Sequence, residues 1–308
     1  MVVAKIRRRK VNRSSTTFAR AAFVVAAIGN LIAVRGQAQI TQLGANLYAM
    51  ELSGVKVGAL VGPDGVFLVD SGRYPTNTDA IIAAIRSISD APIRLVVNTS
   101  ARIDHTGGNE NFAKLGVTIL GRAQVRERLA HPVFSANGMV GTGTPNPRLE
   151  AALPVVTYNS PITLHMDGEE IEVIPVPRAY SDGDTVVHFV NADVIMTGEI
   201  YQSVSYPNID LANGGTLQGL LDGLSSVVAL AGPKTKIVPG HDTIADRVAV
   251  VAQRNMILVL RDRVAAMLKQ GASEKEVVAA SLNADYPSAR LGPNRFMRQL
   301  YEELAPTK

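Results

Sequence analysis

An apolar run, Ile93–Val97, gives way at once to Asn98-Thr99-Ser100-Ala101-Arg102-Ile103-Asp104-His105-Thr106-Gly107-Gly108-Asn109. A strand that ends in such a loop gathers chemically capable side chains at one point of a fold. Asp104 and His105 are neighbouring residues of metal-ligating type. Composition sharpens this, because the 308-residue chain has no cysteine and only five histidines. Disulfides and thiolate ligands are excluded, which leaves His, Asp and Glu as the strong metal ligands.

The N-terminus reads as a leader. Lys5, Arg7, Arg8, Arg9, Lys10, Arg13 and Arg20 make a basic start, and an apolar stretch from Ala21 to Val34 follows. Arg35-Gly36-Gln37-Ala38 then supplies small residues suited to cleavage after Ala38. The stretch contains Asn30 and is short for a membrane span, so an uncleaved anchor is the alternative. We expect residues 1–38 to be a signal peptide, residues 39–308 to be the folded domain, and the protein to be periplasmic or secreted. Residues 1–38 hold eight of the 31 basic side chains and none of the 27 acidic ones. The remainder carries 23 basic against 27 acidic residues, a net charge of −4 instead of +4. The basic balance therefore belongs to the leader and argues for no nucleic-acid partner. The expected partner is a small-molecule substrate or ligand. A membrane enters only through an uncleaved N-terminus, and nothing signals a protein partner.

After the leader about 270 residues remain, enough for one large α/β domain. From Ile40 to Val69, short apolar runs broken by Gly44, Gly54, Gly58 and Pro63-Asp64-Gly65 predict strands joined by tight turns. Residues 78–88 carry Ile81, Ile82, Ile85 and Ile88 on one helical face. Strands are expected at 93–97 and 117–120, and helices at 109–114 and 124–129. Residues 131–150, with three prolines and three glycines, read as a surface loop able to overhang a site. Strands follow at 155–158, 162–165, 170–176, 185–190 and 193–196. A helix at 217–230, a short strand at 236–238, a helical region over 243–269 and one or two helices in 273–304 complete the chain. Two strand-rich halves, each followed by helices, predict two sheets sandwiched between helical layers.

The loop after Val97 resembles the hallmark of the metallo-β-lactamase superfamily, which usually reads Thr-His-X-His-X-Asp-His. Ser100 and Arg102 stand where the first two histidines belong, while Asp104 and His105 remain. Five further landmarks follow in family order. Asp70 matches the aspartate that supports the zinc loop. Tyr180, in Ala179-Tyr180-Ser181-Asp182-Gly183-Asp184, stands at the third histidine position. Glu199 stands where the family has a metal-bridging aspartate. His241, in Pro239-Gly240-His241, matches the last ligand, and Gly214-Gly215-Thr216 resembles a Gly-Gly-Ser segment. The resemblance implies an α/β fold, the αββα four-layer sandwich, over most of residues 40–250.

Sorted by metal, the landmarks divide. The positions of the family's first site hold Ser100, Arg102 and Tyr180, whereas those of the second keep Asp104, His105 and His241. The resemblance thus implies one divalent metal, zinc for preference with manganese or iron allowed, bound by Asp104, His105, His241 and Glu199. Hydrogen bonding within a metal-free loop is the alternative. Arg102 is expected to pair with Glu199, because unit charges 4 Å apart attract by about 4 kcal/mol at an effective dielectric of 20. It would then act either as an electrostatic substitute for the first metal, steadying an oxyanion, or as a structural ion pair. Asp104 is a candidate base, and Tyr180 is a candidate proton or hydrogen-bond donor. His131, His165 and His188 fall outside the motifs and read as structural or surface residues. The expected activity is hydrolysis of an ester, lactone or amide by metal-activated water. The alternative is a non-catalytic binding protein on the same scaffold.

Overall fold

The computed structural model describes residues 38–133, 146–286 and 293–306. Two sheets carry the chain. The first takes β1 (Gln39–Gln42), β2 (Leu47–Leu52), β3 (Val55–Gly62), β4 (Gly65–Val69), β5 (Ile93–Val97), β6 (Thr118–Arg122) and β7 (Val156–Tyr158), in that spatial order. The second takes β8 (Ile162–Met166), β9 (Glu169–Pro175), β10 (Thr185–Phe189), β11 (Val194–Gly198) and β12 (Lys236–Pro239), ordered β12-β11-β10-β9-β8. Antiparallel hairpins open each sheet. Pairing turns parallel from β4 through β7 and between β11 and β12. Parallel neighbours need crossovers. These contain α1 (Asn77–Arg86), then α2 (Ile103–Thr106) with α3 (Asn109–Lys114), then α4 (Ala123–Ala130), and in the second half α5 (Leu217–Leu230). After β12 come α6 (Arg247–Lys269), α7 (Glu274–Ala279) and α8 (Pro293–Leu304).

Residue alternation shows why four layers form. On β4, Phe67 and Val69 face the second sheet, whereas Val66 and Leu68 face α1 and α3. On β10, Val187 and Phe189 face the first sheet, and Val186 faces α5 and the C-terminal helices. A strand buried on both faces reads as a continuous apolar run, which is the character of Val66–Val69. Phe67 and Phe189 meet edge to face across the sheets, their centroids 6.2 Å apart, an arrangement that the aromatic quadrupole favours. The outer layers close over Ile81, Ile85 and Phe112 on one side and over Leu220, Leu224, Ile257 and Phe296 on the other. The fold is an αββα sandwich.

Some expectations shift. The helical region expected from residue 243 begins at Arg247, because the Asp246 carboxylate accepts the Ala249 N–H at 2.9 Å and caps it there. The four-residue helix α2 inside the polar loop was not anticipated; one turn is too short to leave a periodic signal. Among the described residues the two halves are unequal, with seven and five strands. Within the expected loop 131–150, residues 134–145 lie outside the described residues, and Glu150–Ala152 forms a 3-10 turn. The expected leader lies outside the described residues apart from Ala38. Among the described residues no helix is long and apolar enough to cross a membrane.

Candidate metal centre

Every landmark of the sequence stands at the carboxyl end of a strand or in the loop that follows, the usual place for a site in α/β sheets. Asp70 follows β4 with a left-handed backbone, φ 68°, a conformation that aspartate tolerates better than most residues. Its carboxylate accepts the Thr99 N–H at 2.8 Å and the Thr99 hydroxyl at 2.8 Å. It also accepts Nδ1–H of His105 at 2.7 Å. The loop itself is locked by amides. Asn98 Nδ2 donates to the His105 carbonyl at 3.0 Å, and Asn109 Nδ2 donates to Asn98 Oδ1 at 2.8 Å. The Asn-Thr and Gly-Gly-Asn ends of the motif thus hold Asp104 and His105 in place on α2.

His241 arrives from the loop after β12. Its Nδ1 donates to the Gly54 carbonyl of the β2–β3 turn at 3.0 Å. Gly240 is needed beside it, since a Cβ there would sit 2.6 Å from Cε1 of His105. Asp70 and a backbone carbonyl are pure acceptors, so each histidine carries its proton on Nδ1 and turns Nε2 inward. The two Nε2 atoms meet on one oxygen: Glu199 Oε1 lies 2.9 Å from that of His105 and 2.8 Å from that of His241. Imidazoles oriented by a carboxylate or carbonyl on the far nitrogen are the normal arrangement of histidine metal ligands. The candidate ligand atoms of His105, Glu199 and His241 all lie within 4.8 Å of one another.

Asp104 stands beside this trio and is not part of it. Its Oδ1 is bonded to Arg73. Its Oδ2 lies 2.7 Å from an Arg102 nitrogen and 3.5 Å from His241 Nε2, and this buried atom makes no well-directed hydrogen bond. Arg102 reaches both acids, with Nη1 3.5 Å from Glu199 Oε2. Its guanidinium also lies 5.8 Å from the centroid of the Tyr180 ring, within cation–π range. Ser100 is fully buried, and its hydroxyl accepts the Arg102 N–H at 3.3 Å. A narrow cleft beside the cluster is lined by Arg102, Arg128, Tyr180 and Asp210.

The electrostatics follow from this packing. Burial opposes charge on Glu199, but Arg102 and then the two histidines outweigh it and hold the carboxyl well below its usual range. Burial likewise opposes charge on Asp104, yet His241, Arg73 and Arg102 keep it ionised. Burial lowers His105, but Asp70 and Glu199 push it up to about 10. His241, lowered by burial and raised by Asp104 and Glu199, reaches about 9. Burial raises the Tyr180 hydroxyl far above its ordinary value, so it stays protonated and can only donate or accept as a neutral group. With protons on both Nε2 atoms the cluster is two imidazoliums clasping a carboxylate. A divalent ion can take the place of those two protons, and the underused Asp104 Oδ2 lies next to that position. The residues present fit a metal.

A family model for the metallo-beta-lactamase superfamily matches residues 52–241, from the end of β2 to His241. The chain belongs to the metallo-β-lactamase superfamily. Members bind divalent metals, typically zinc. A linear primary-alkylsulfatase from Pseudomonas sp. is 19% identical over 277 residues, which is 78% of this chain and 51% of that protein. This member therefore spans about half the length of that curated relative. A metallo-beta-lactamase from Pontibacter korlensis superimposes with a TM-score of 0.59 at 17% identity, covering 72% of this chain and 99% of the other. A stereoselective inverting sec-alkylsulfatase from Pseudomonas sp. superimposes with a TM-score of 0.62 at 16% identity, covering 86% and 50%.

The landmarks drawn from the superfamily pattern, Asp70, Arg102, Asp104, His105, Tyr180, Glu199 and His241, thus lie in one neighbourhood. Two charged residues near them were not singled out. Arg73, three residues past Asp70, binds Asp104. Arg295, half-buried on α8, has its charge disfavoured by burial and by Arg102 and favoured by Glu199. His188, read as structural, pairs with Glu172 at 2.8 Å.

Proposed function

We propose that this superfamily member is a hydrolase with one divalent metal, zinc for preference, held by His105, His241 and Glu199, with Asp104 alongside. The observation that carries the reading is the convergence of two oriented Nε2 atoms on one carboxylate oxygen. A metal bound there would supply Lewis acidity and activate water at neutral pH. The chain's own groups divide the remaining work. Asp70 and the Gly54 carbonyl keep both imidazoles in the ligand tautomer. Asp104, ionised and adjacent, is placed to accept a proton. Arg102 neutralises the two acids and offers positive charge to an oxygen that becomes negative. Tyr180 stands behind Arg102 as a neutral donor. Substrates of this reading are esters, lactones or amides. Sulfate esters join them because relatives are named as alkylsulfatases. Export through the N-terminal leader belongs to the same reading.

One observation favours a second reading, a binding scaffold without metal. Arg102 already pairs with both Asp104 and Glu199, so the acids are compensated without an ion. The readings separate on a panel of ester, lactone, β-lactam and alkyl sulfate probes. Under the first, one class turns over, and chelation or His241→Ala abolishes the rate. If no class turns over with zinc supplied, the hydrolase reading fails and the scaffold reading stands.

A further inference from the structure

Resting on the hydrolase reading, we propose that Arg295 is a substrate anchor: it receives an oxyanion, a carboxylate or a sulfate-type group, carried by the molecule that enters beside Arg102 and Tyr180. Its helix is docked by a stripe of side chains four residues apart. Gln299 Nε2 donates to the Ile209 carbonyl at 2.7 Å and to Asn208 Oδ1 at 2.9 Å, while its Oε1 accepts the Ile209 N–H at 3.2 Å. One turn on, Glu303 accepts the Leu217 N–H at 2.8 Å. Between those two points the chain runs behind Tyr180, for the Asp210 N–H donates to the Tyr180 carbonyl at 2.7 Å. Arg295 is the next member of the same stripe, one turn before Gln299, and residues at i and i+4 share a helix face. It therefore faces the wall that carries Tyr180.

Its charge is not accounted for within the fold. The Nε atom is buried and has no hydrogen-bond partner. Among the described residues no carboxylate lies within ion-pairing distance of its guanidinium. The site acids are engaged elsewhere: Asp104 by Arg73 and Arg102, Glu199 by Arg102 and both histidines, and Asp210 by Asn213. Burial disfavours the charge of Arg295 and so does the Arg102 guanidinium, while Glu199 favours it. A half-buried guanidinium without a carboxylate partner, in the field of a second guanidinium, is costly unless something negative joins them. A planar fork of N–H donors suits carboxylate and sulfate oxygens in particular.

The test uses the full chain and two non-hydrolysable probes, hexanoate and hexanesulfonate, with binding measured by calorimetry, so that no turnover is needed. Arg295→Gln is expected to weaken the preferred probe by about tenfold or more, as loss of a charge-assisted pair does. Arg295→Lys should recover part of it, and the exposed Arg298→Gln on the same helix should leave binding unchanged. Whichever probe binds more tightly identifies the oxyanion. With a working hydrolase, Arg295→Gln should raise KM for an anionic ester at least tenfold more than for its neutral analogue. Failure of both probes to bind, or equal losses in Arg295→Gln and Arg298→Gln, overturns the anchor. Binding that depends on Arg295 without turnover of any ester, lactone, β-lactam or alkyl sulfate probe keeps the anchor and removes the hydrolase reading.

Discussion

At the scale of single residues, Arg102 decides how the acids of this site are tolerated. Glu199 is fully buried at its side chain and Asp104 nearly so, 0% and 2% exposed, and neither could ionise there without positive charge nearby. Arg102 supplies it together with the histidines. Replacing it with a side chain of similar length and no charge should therefore expose the debt. Arg102→Met is expected to lower unfolding stability in chelator by roughly 3 kcal/mol, at the low end for breaking a buried pair because Arg102 itself stays partly exposed. Added zinc should recover more of that loss than it adds to the parent protein. Urea unfolding with and without zinc measures both, and a loss under about 0.5 kcal/mol, as expected for a surface pair, would show the pairs to be incidental.

Much of this site was legible at the residue scale because its members are anchored to short local patterns: Asp70 after Val66–Val69, Asp104-His105 after Ile93–Val97, and His241 after Pro239-Gly240. Other parts were hidden for a physical reason. The acceptor that orients His241 is the Gly54 backbone carbonyl, to which any residue type contributes equally. Arg73 and Arg295 are ordinary arginines on a loop and a helix. Only the path of the chain shows that one of them reaches Asp104 and that the other lies on the helix face docked against Ile209 and Leu217.

At the scale of elements, the loop that leads into α5 and passes behind Tyr180 shows how close packing sets residue choice. Thr216 caps α5 by accepting the Gly219 N–H at 3.0 Å, and its hydroxyl donates to the Arg178 carbonyl at 3.1 Å. Gly215, just before it, passes so near the Tyr180 backbone that a Cβ would lie 2.1 Å from the Tyr180 carbonyl oxygen. That oxygen is backbone and cannot swing aside. Gly215→Ala should cost about 1–3 kcal/mol, the usual range for overpacking, and should disturb Tyr180 and Arg102 together. Denaturant midpoints check the first part, and altered Tyr180 resonances in an NMR spectrum check the second. Neutral stability would mean that the two segments are not in contact. The strands and long helices were readable from apolar alternation and periodicity. The helix α2 was not, because its single turn is imposed by the Asp70–Thr99–His105 and Asn98–Asn109 bonds.

At the scale of the whole molecule, one buried acid links global stability to pH. Asp184 accepts the Ser181 N–H at 2.7 Å and the Ser181 hydroxyl at 2.9 Å, but burial outweighs these bonds and pushes it up to about 8. The folded state thus holds this proton more tightly than the unfolded chain, whose aspartates titrate near 3.9. Between about pH 4 and pH 8 the folded state binds more protons at this position, so its contribution to stability falls as pH rises and levels off above about 8. Asp184→Asn removes that slope. The variant should gain stability relative to the parent on going from pH 5 to pH 8.5, as measured by urea unfolding at both pH values. A difference that does not change with pH would place the titration of Asp184 outside this window.

The αββα frame brings the ends of β4, β5, β11 and β12 to one cluster of side chains, and metal stoichiometry decides what that cluster does. The most direct measurement is the metal content of protein purified without chelator and then equilibrated with zinc. About one zinc per chain is expected, falling close to zero in His241→Ala. No bound metal in the parent protein, or two ions per chain, would contradict a single-metal centre.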